Sequence, residues 1–173
     1  MRRITRREFA GASVLAAATM AMPTLGAQQG HQVQDEKLQS AFLADLTIET
    51  EAPHDAGVGH GGRLVVPVAG GTIEGPRLKG TFVRPGGDWI IERPDGSRVL
   101  DVRLLVQTDD GQFVYLSWRG IAYTPAGGGA LVARIVPVFE TGAAKYAWLN
   151  NVIAVGVLRP ISHKIAYRLY EIL

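Results

Sequence analysis

The sequence predicts an all-β fold, an antiparallel up-and-down β-barrel of about 8–10 strands with one short helix near residues 143–150. Three observations carry this. From residue 41 onward, Gly, Pro, Asp and Asn interrupt apolar runs at about every 8–12 positions. Within the runs, side chains alternate, the period of a strand with two unlike faces. The connections are short, so consecutive strands pair antiparallel, and closing the sheet removes the edges that so long a meander would otherwise expose.

The elements follow in order. Residues 41–50 alternate, with Leu46 and Ile48 on one face. RLVVPV (63–68) is a second strand. TIEG and RLKGTFVR (72–84) come next, split by Gly75-Pro76. DWIIER (88–93) is bounded by Pro85-Gly86-Gly87 and by the turn Pro94-Asp95-Gly96. Residues 97–107 and 112–119 make a hairpin about Asp109-Asp110-Gly111. ALVARIVPVFE (130–140) follows Gly127-Gly128-Gly129, and VIAVGVLRP (152–160) and KIAYRLYEI (164–172) complete the set. GAAKYAWLNN (142–151) alone reads as helical, about two turns. The sequence has no internal repeat and no low-complexity tract.

The opening residues have a different character. Arg2, Arg3, Arg6 and Arg7 precede a small, apolar run from Ala10 to Met22, and Leu25-Gly26-Ala27 offers a cleavage point. The run is shorter than the roughly 20 residues that span a bilayer. Arg6-Arg7 followed by Phe9 resembles a twin-arginine signal. Residues 1–27 are therefore expected to be an export signal, residues 28–40 a flexible mature N-terminus, and residues 41–173 the barrel. The expected location is periplasmic or secreted. The net charge of +2 belongs to the leader: without its four Arg and one Glu, 14 basic and 15 acidic residues remain. That balance offers nothing to nucleic acid, and no membrane insertion of the mature chain is expected.

The chain has no cysteine, which excludes disulfides, thiolate metal sites and a Cys nucleophile. His54 and His60 flank a Gly-rich loop, but their spacing matches no zinc pattern, and no metal is expected. GVGHGG lacks the βαβ context of a dinucleotide site, and Ser117 lacks the glycines of a nucleophile elbow, so no cofactor is expected either.

Three long stretches carry a resemblance: GGRLVVPVAGGTIEGPRLKGTFVRPGGDW, RPDGSRVLDVRLLVQTDDGQFVYLSWRG and PVFETGAAKYAWLNNVIAVGVLRP, with a YRLYEIL ending. Together they resemble the UPF0311, or DUF3237, family over about residues 41–173. The resemblance implies a compact antiparallel barrel with a lumen, and it implies little about activity. Two positions depart from the family pattern, which usually has an aromatic after the Asp-x-Arg triplet and another before the arginine matching Arg134. Here those positions are Leu104 and Ala133.

Three constellations offer chemistry. Asp101 and Arg103 share one strand face with Val99, Leu105 and Gln107. On the adjoining strand Phe113, Tyr115, Ser117 and Arg119 share one face, and Val114, Leu116 and Trp118 the other. The polar-aromatic face is either a ligand-holding lumen or a wet exterior. If inward, Arg103, held by Asp101, would present donors to a carboxylate, carbonyl or enolate oxygen. The second constellation is Glu140 with the helix bearing Tyr146, Trp148 and Asn150, a possible lid over one mouth with Glu140 as a base, or else a plug with Glu140 paired. The third is Asp88 and Trp89 after two glycines; Asp88 either fixes the turn through backbone N–H groups or reaches a ligand. Arg119 and Arg134 complete the candidate binding residues.

Three functions fit these residues. The first is a barrel that binds a small organic molecule, aromatic or cyclic and oxygenated, in its lumen. The second is a cofactor-independent lyase or isomerase, with Arg103 stabilising an oxyanion and Asp101, Tyr115 or Glu140 as acid or base. The third is a structural or interaction domain with a packed interior.

Overall fold

The computed structural model describes residues 37–57, 61–161 and 164–173. The expected signal (1–27), most of the expected flexible segment, and His31, His60 and His163 lie outside the described residues. Nine strands follow: β1 (Ser40–Thr50), β2 (His54–Asp55), β3 (Gly62–Glu74), β4 (Lys79–Glu92), β5 (Arg98–Thr108), β6 (Phe113–Tyr123), β7 (Val132–Glu140), β8 (Ala154–Ile161) and β9 (Lys164–Ile172). The helix expected at 143–150 is a 3₁₀ segment, Ala144–Asn151, between β7 and β8.

All the pairings are antiparallel, in the order β1-β9-β8-β7-β6-β5-β4-β3, and β1 also pairs with β3. That last pairing closes eight strands into a barrel. The short β2 adds to β3 through His54–Val65 and Asp55–Leu64.

One expected strand boundary is not a boundary. Pro85-Gly86-Gly87, read from sequence as a strand boundary, is a register shift inside the 14-residue β4, between Val83 and Gly87. The site requires a bare backbone: a Cβ at Gly86 would lie 2.8 Å from Leu104 Cδ2. Likewise Gly70-Gly71 lies in an irregularity of β3 between Pro67 and Thr72. Such bulges bend a strand and increase its twist, which barrel closure needs.

Alternation then decides the interior. On β5, Leu100, Val102, Leu104, Val106 and Thr108 are buried. On β6 the buried set is Val114, Leu116 and Trp118, and on β7 it is Ala133, Ile135, Pro137 and Phe139. Leu104 and Ala133, the two departures from the family pattern, both point inward. One end of the barrel is sealed by Leu78 in the β3–β4 turn and by Tyr146 and Leu149 of the 3₁₀ segment, all part of the core. At that end the Tyr146 hydroxyl donates to Asp110 Oδ1 at 2.9 Å, and Lys145 Nζ to Asp110 Oδ2 at 2.5 Å. The mouth lies at the opposite end, where β1, β4, β6 and β8 finish.

Gly71 sits on the closing seam, paired with Ile48, at φ +139°. A Cβ there would collide with the Thr47 carbonyl and approach Phe82 Cδ2 at 2.8 Å. Gly142 has open space around it. In urea denaturation we expect Gly71→Ala to cost at least about 2 kcal/mol and Gly142→Ala less than about 0.5 kcal/mol. Equal effects would mean that the seam does not depend on a bare backbone at residue 71.

Candidate functional site

The register lines up one row of inward residues across four neighbouring strands. Val66 of β3 pairs with Asp88 of β4, Asp88 with Val102 of β5, and Val102 with Trp118 of β6. Facing that row from the other side of the barrel are Ile48 of β1 and Ile165 and Tyr167 of β9. Together with Thr50, Val68 and Ile90 they enclose a cavity of about 60 Å3 at the mouth. The wall residues are aliphatic apart from the aromatic Trp118 and Tyr167 and the polar Asp88 and Thr50.

Asp88 is half-buried, and one of its contacts is structural. Its Oδ1 accepts the Asp101 N–H at 3.0 Å. The bond falls where the β4–β5 ladder lapses between the Asp88–Val102 and Ile91–Val99 pairs. The sequence reading, in which Asp88 accepts backbone N–H groups, thus holds, but across strands rather than within its own turn. Burial pushes the carboxyl up to about 6 from an ordinary 3.8; the Asp101 N–H opposes the rise and the Asp101 charge adds to it. Burial also raises the Tyr167 phenol, and the charge of Asp88 raises it further, so this hydroxyl stays protonated. The rings of Trp118 and Tyr167 meet edge to face, with centroids 6.0 Å apart. Trp118 is 3% exposed, and its Nε1 is a buried donor without a hydrogen-bond partner among the described residues.

The other candidate residues are elsewhere. Asp101, Arg103, Tyr115, Arg119, Arg134 and Glu140 occupy the outer face, so the lumen orientation considered for Asp101 and Arg103 is corrected. The reason is packing: beyond Arg98 at its exposed start, the opposite face of β5 carries only apolar side chains and a hydrogen-bonded Thr108, that of β6 is apolar, and those faces take the interior. Outside, Arg103 Nη2 approaches both Asp101 oxygens at 3.4 Å, and its guanidinium lies 5.3 Å from the Trp89 ring. Arg119, 82% exposed, reaches Asp101 at 3.9 Å. Trp89 is therefore an outer-surface residue, and this cluster is solvated. Tyr115 pairs with Glu140 across β6–β7, also outside. Arg134 Nη1 donates to the Ala133 carbonyl.

Tyr146, Trp148 and Asn150 are at the sealed end, away from Asp88. Asn150 clasps the loop, accepting the Thr141 N–H at 2.8 Å and donating to the Thr141 carbonyl at 2.9 Å. Arg77 stacks 3.5 Å over the Trp148 ring. The groove at this end is wider than the mouth cavity but open to solvent, and its polar groups largely satisfy one another. Trp118 and Tyr167 were not singled out from the sequence. The signal for Trp118 was its place beside Val114 and Leu116 on the apolar face; Tyr167 alternates with Leu169 and Ile165 in the same way. Among the described residues no group of three or more His, Cys, Asp or Glu is placed to hold a metal.

Fold and site together define a small closed antiparallel barrel with a partly enclosed, mostly apolar cavity at one mouth. The chain belongs to the family described as protein of unknown function (DUF3237), whose sequence model matches residues 37–172. It is 26% identical over 149 residues to a UPF0311 protein of Rhodopseudomonas palustris, covering 79% of this chain and 97% of that one. A crystal structure described as a beta-barrel like protein from Acinetobacter baumannii AYE superposes with TM-score 0.74 at 30% identity, covering 82% of this chain and all of the other. The hydroalkoxylation enzyme phnH of Penicillium herquei is 33% identical over 90 residues, 51% of this chain and 52% of its own length.

A carboxyl that binds its proton more tightly when folded destabilises the fold at high pH. The sign follows from linkage: stability falls as pH rises from about 4 to about 6, and the penalty is fully present above that. Asp88→Asn keeps the oxygen that accepts the Asp101 N–H and removes the charge. We expect it to stabilise the protein by about 1–2 kcal/mol at pH 7.5, a figure discounted for partial exposure, with the gain vanishing near pH 4. A gain independent of pH would show that Asp88 carries no burial penalty.

Proposed function

We propose that the protein binds a small oxygenated organic molecule at the barrel mouth and that Asp88 moves a proton to or from it, without a cofactor. The observation that carries this is Asp88 itself: a carboxyl set among aliphatic walls, its proton affinity raised by burial and by the Asp101 charge rather than offset by a neighbouring cation. A group that titrates near pH 6 gives or takes a proton readily at physiological pH. The Tyr167 hydroxyl, kept protonated, is a donor beside it.

The similarity to phnH supports addition of a hydroxyl across a carbon–carbon double bond as the reaction type. In such a step the Asp88 carboxylic acid delivers its proton to one alkene carbon. The substrate's hydroxyl oxygen bonds to the other carbon, and its proton returns to the Asp88 carboxylate. Substrate and product have the same composition, so no oxidant or reductant is needed. Arg103, Arg119 and Glu140 take no part in this reading, since they lie outside the barrel. The Arg6-Arg7 leader supports the further proposal that this chemistry takes place outside the cytoplasm.

The test is a thermal-shift screen of hydroxylated aromatics, cyclic ketones and alkenyl phenols. Compounds that stabilise the wild type are expected to stabilise Arg103→Ala equally and to lose their effect on Val102→Phe, which fills the space between Asp88 and Trp118. Equal shifts in wild type and Val102→Phe would place binding elsewhere. For turnover, alkenyl phenols incubated in D2O should yield an isomer carrying one deuterium on carbon, with Asp88→Asn slower by about 10²-fold or more; unaltered turnover in that variant would remove Asp88 from the chemistry. Arg6→Lys with Arg7→Lys should leave the protein in the cytoplasm of a bacterial host, as read by fractionation; undiminished export would rule out the twin-arginine route.

A further inference from the structure

We infer that the outer face of β7 and the start of β8 dock a second copy of this chain, with the two β7 strands stacked antiparallel about a two-fold axis. The inference is independent of the mouth site. None of the residues around the mouth cavity lies on β7 or β8, so the contact leaves both mouths open.

The face is apolar where the outer side of an antiparallel sheet is ordinarily polar. The outward side chains of β7 include Val136 and Val138. The register Arg134–Val157 sets Val155 and Ile153 on the β8 side of these two valines. The four are between 38% and 71% exposed. Single exposed aliphatics are ordinary, but adjacent ones on one sheet face mark a contact surface. On the flank formed by β1, β8 and β9 the exterior is charged and paired instead: Arg159 and Arg168 hold Asp45, and Lys164 holds Glu49.

The charges around the patch indicate what covers it. Outward, β7 reads Arg134, Val136, Val138, Glu140, a row evenly spaced about Pro137 and opposite in charge at its two ends. Neither end residue is in an ion pair among the described residues. A second copy laid face to face and antiparallel sets Val136 of each copy over Val138 of the other. Arg134 of each then meets Glu140 of the other, twice by symmetry. On the β8 flank Val155 of one copy covers Ile153 of its mate. On the β6 flank Val136 pairs with Arg119 and Val138 with Ser117, so each Arg119 meets a serine rather than a second arginine. A parallel stacking would oppose Arg134 to Arg134 and Glu140 to Glu140, so the charge pattern selects the antiparallel one. The nine residues of β7 give a face about 30 Å long, and three strands make it about 15 Å wide. That is roughly 450 Å2 per copy, the small end for a specific contact. The dimer is therefore weak and reversible, with a dissociation constant on the order of tens of micromolar.

Sedimentation velocity of the full chain from about 5 to about 500 μM tests this. A monomer–dimer equilibrium is expected over that range. Val136→Asp should weaken it by about tenfold or more. Arg134→Glu and Glu140→Arg should each weaken self-association by about tenfold, because each opposes like charges twice. An equimolar mixture of these two variants should associate as tightly as the wild type, since every contact between positions 134 and 140 in the mixed dimer joins opposite charges. The double variant should recover wild-type association for the same reason. The replaced side chains are all exposed, so each variant should melt within about 2 °C of the wild type. Where Val136→Asp melts earlier, Val138→Asp takes its place. A monomer at every concentration overturns the inference. So does association that survives both aspartate variants, which places the contact elsewhere. Single charge variants that associate as the wild type does, or a mixture that gains nothing over its components, overturn it as well.

Discussion

The pairing of β1 with β3 is the constraint on which the rest depends. An eight-strand meander without it is an open sheet with two long edges and one apolar face in water. With it, every inward side chain is enclosed and every outward one is solvated, and the strand period of two leaves no freedom between them. The seam is made possible by a bare backbone: Gly70 and Gly71 let β3 shift register just where it meets Glu49 and Ile48. Closure therefore fixes the environment of residues far from the seam. The bulge at 85–87 shifts the β4–β5 register by two residues and so keeps the alternation in phase: Asp88 faces inward as Phe82 does, in line with Val66 and Val102.

That placement sets a polar group against the general logic of the core. Nearly all the buried interior is aliphatic or aromatic, and Leu104, Leu116, Ile135 and Leu169 are almost fully buried. A valine at 88 would have avoided the carboxyl. Its hydrogen bond to the Asp101 N–H offsets part of the cost and gives it a fixed orientation. Thr108, the other polar group deep in β5, shows the structural alternative: its hydroxyl donates to Asp110 at 2.6 Å and accepts the Gln112 N–H, so it is satisfied within the hairpin. Asp88, in the cavity wall, uses one oxygen for the Asp101 N–H and keeps the other without a hydrogen-bond partner among the described residues. A carboxyl with spare capacity at the mouth, against the paired Asp110, Lys145 and Tyr146 at the sealed end, is the contrast on which the proposed site rests.

The fold was legible in the sequence because turns and alternation are local properties. The hairpin about Asp109-Asp110-Gly111 and the 3₁₀ segment at 144–151 both follow from residues near them. Pro85-Gly86-Gly87 was less legible, since the same three residues suit a turn and a bulge, and only the partner strand chooses between them. The facing of Asp101 and Arg103 was not legible from their own strand. β5 offers Val99 and Leu105 on one side and Leu100, Val102, Leu104 and Val106 on the other; the choice is made by summing over neighbours, and β6 and β7 both present apolar rows to the second side. A conspicuous ion pair drew the reading outward. Asp88, a single carboxylate in phase with Ile90, was the residue whose burial mattered, and the partners that give it meaning, Trp118 and Tyr167, are 30 and 79 positions further along the chain.

The small size of the cavity is itself informative about how such a barrel would act. With Leu104 and Leu116 fully buried at the waist, the lumen cannot engulf a drug-sized molecule, which ordinarily fills some 300–1,000 Å3. A ligand must enter edge-first and remain partly outside. Binding energy then comes from few contacts, so the protonatable Asp88 carboxyl counts for more than wall area. Recognition concentrated on one edge of the ligand also tolerates variation in the part left outside. On the proposed reading, a fold of this kind would serve molecules that share one reactive edge and differ elsewhere, with the alternating interior supplying rigidity and the mouth row of β3 to β6 meeting the shared edge.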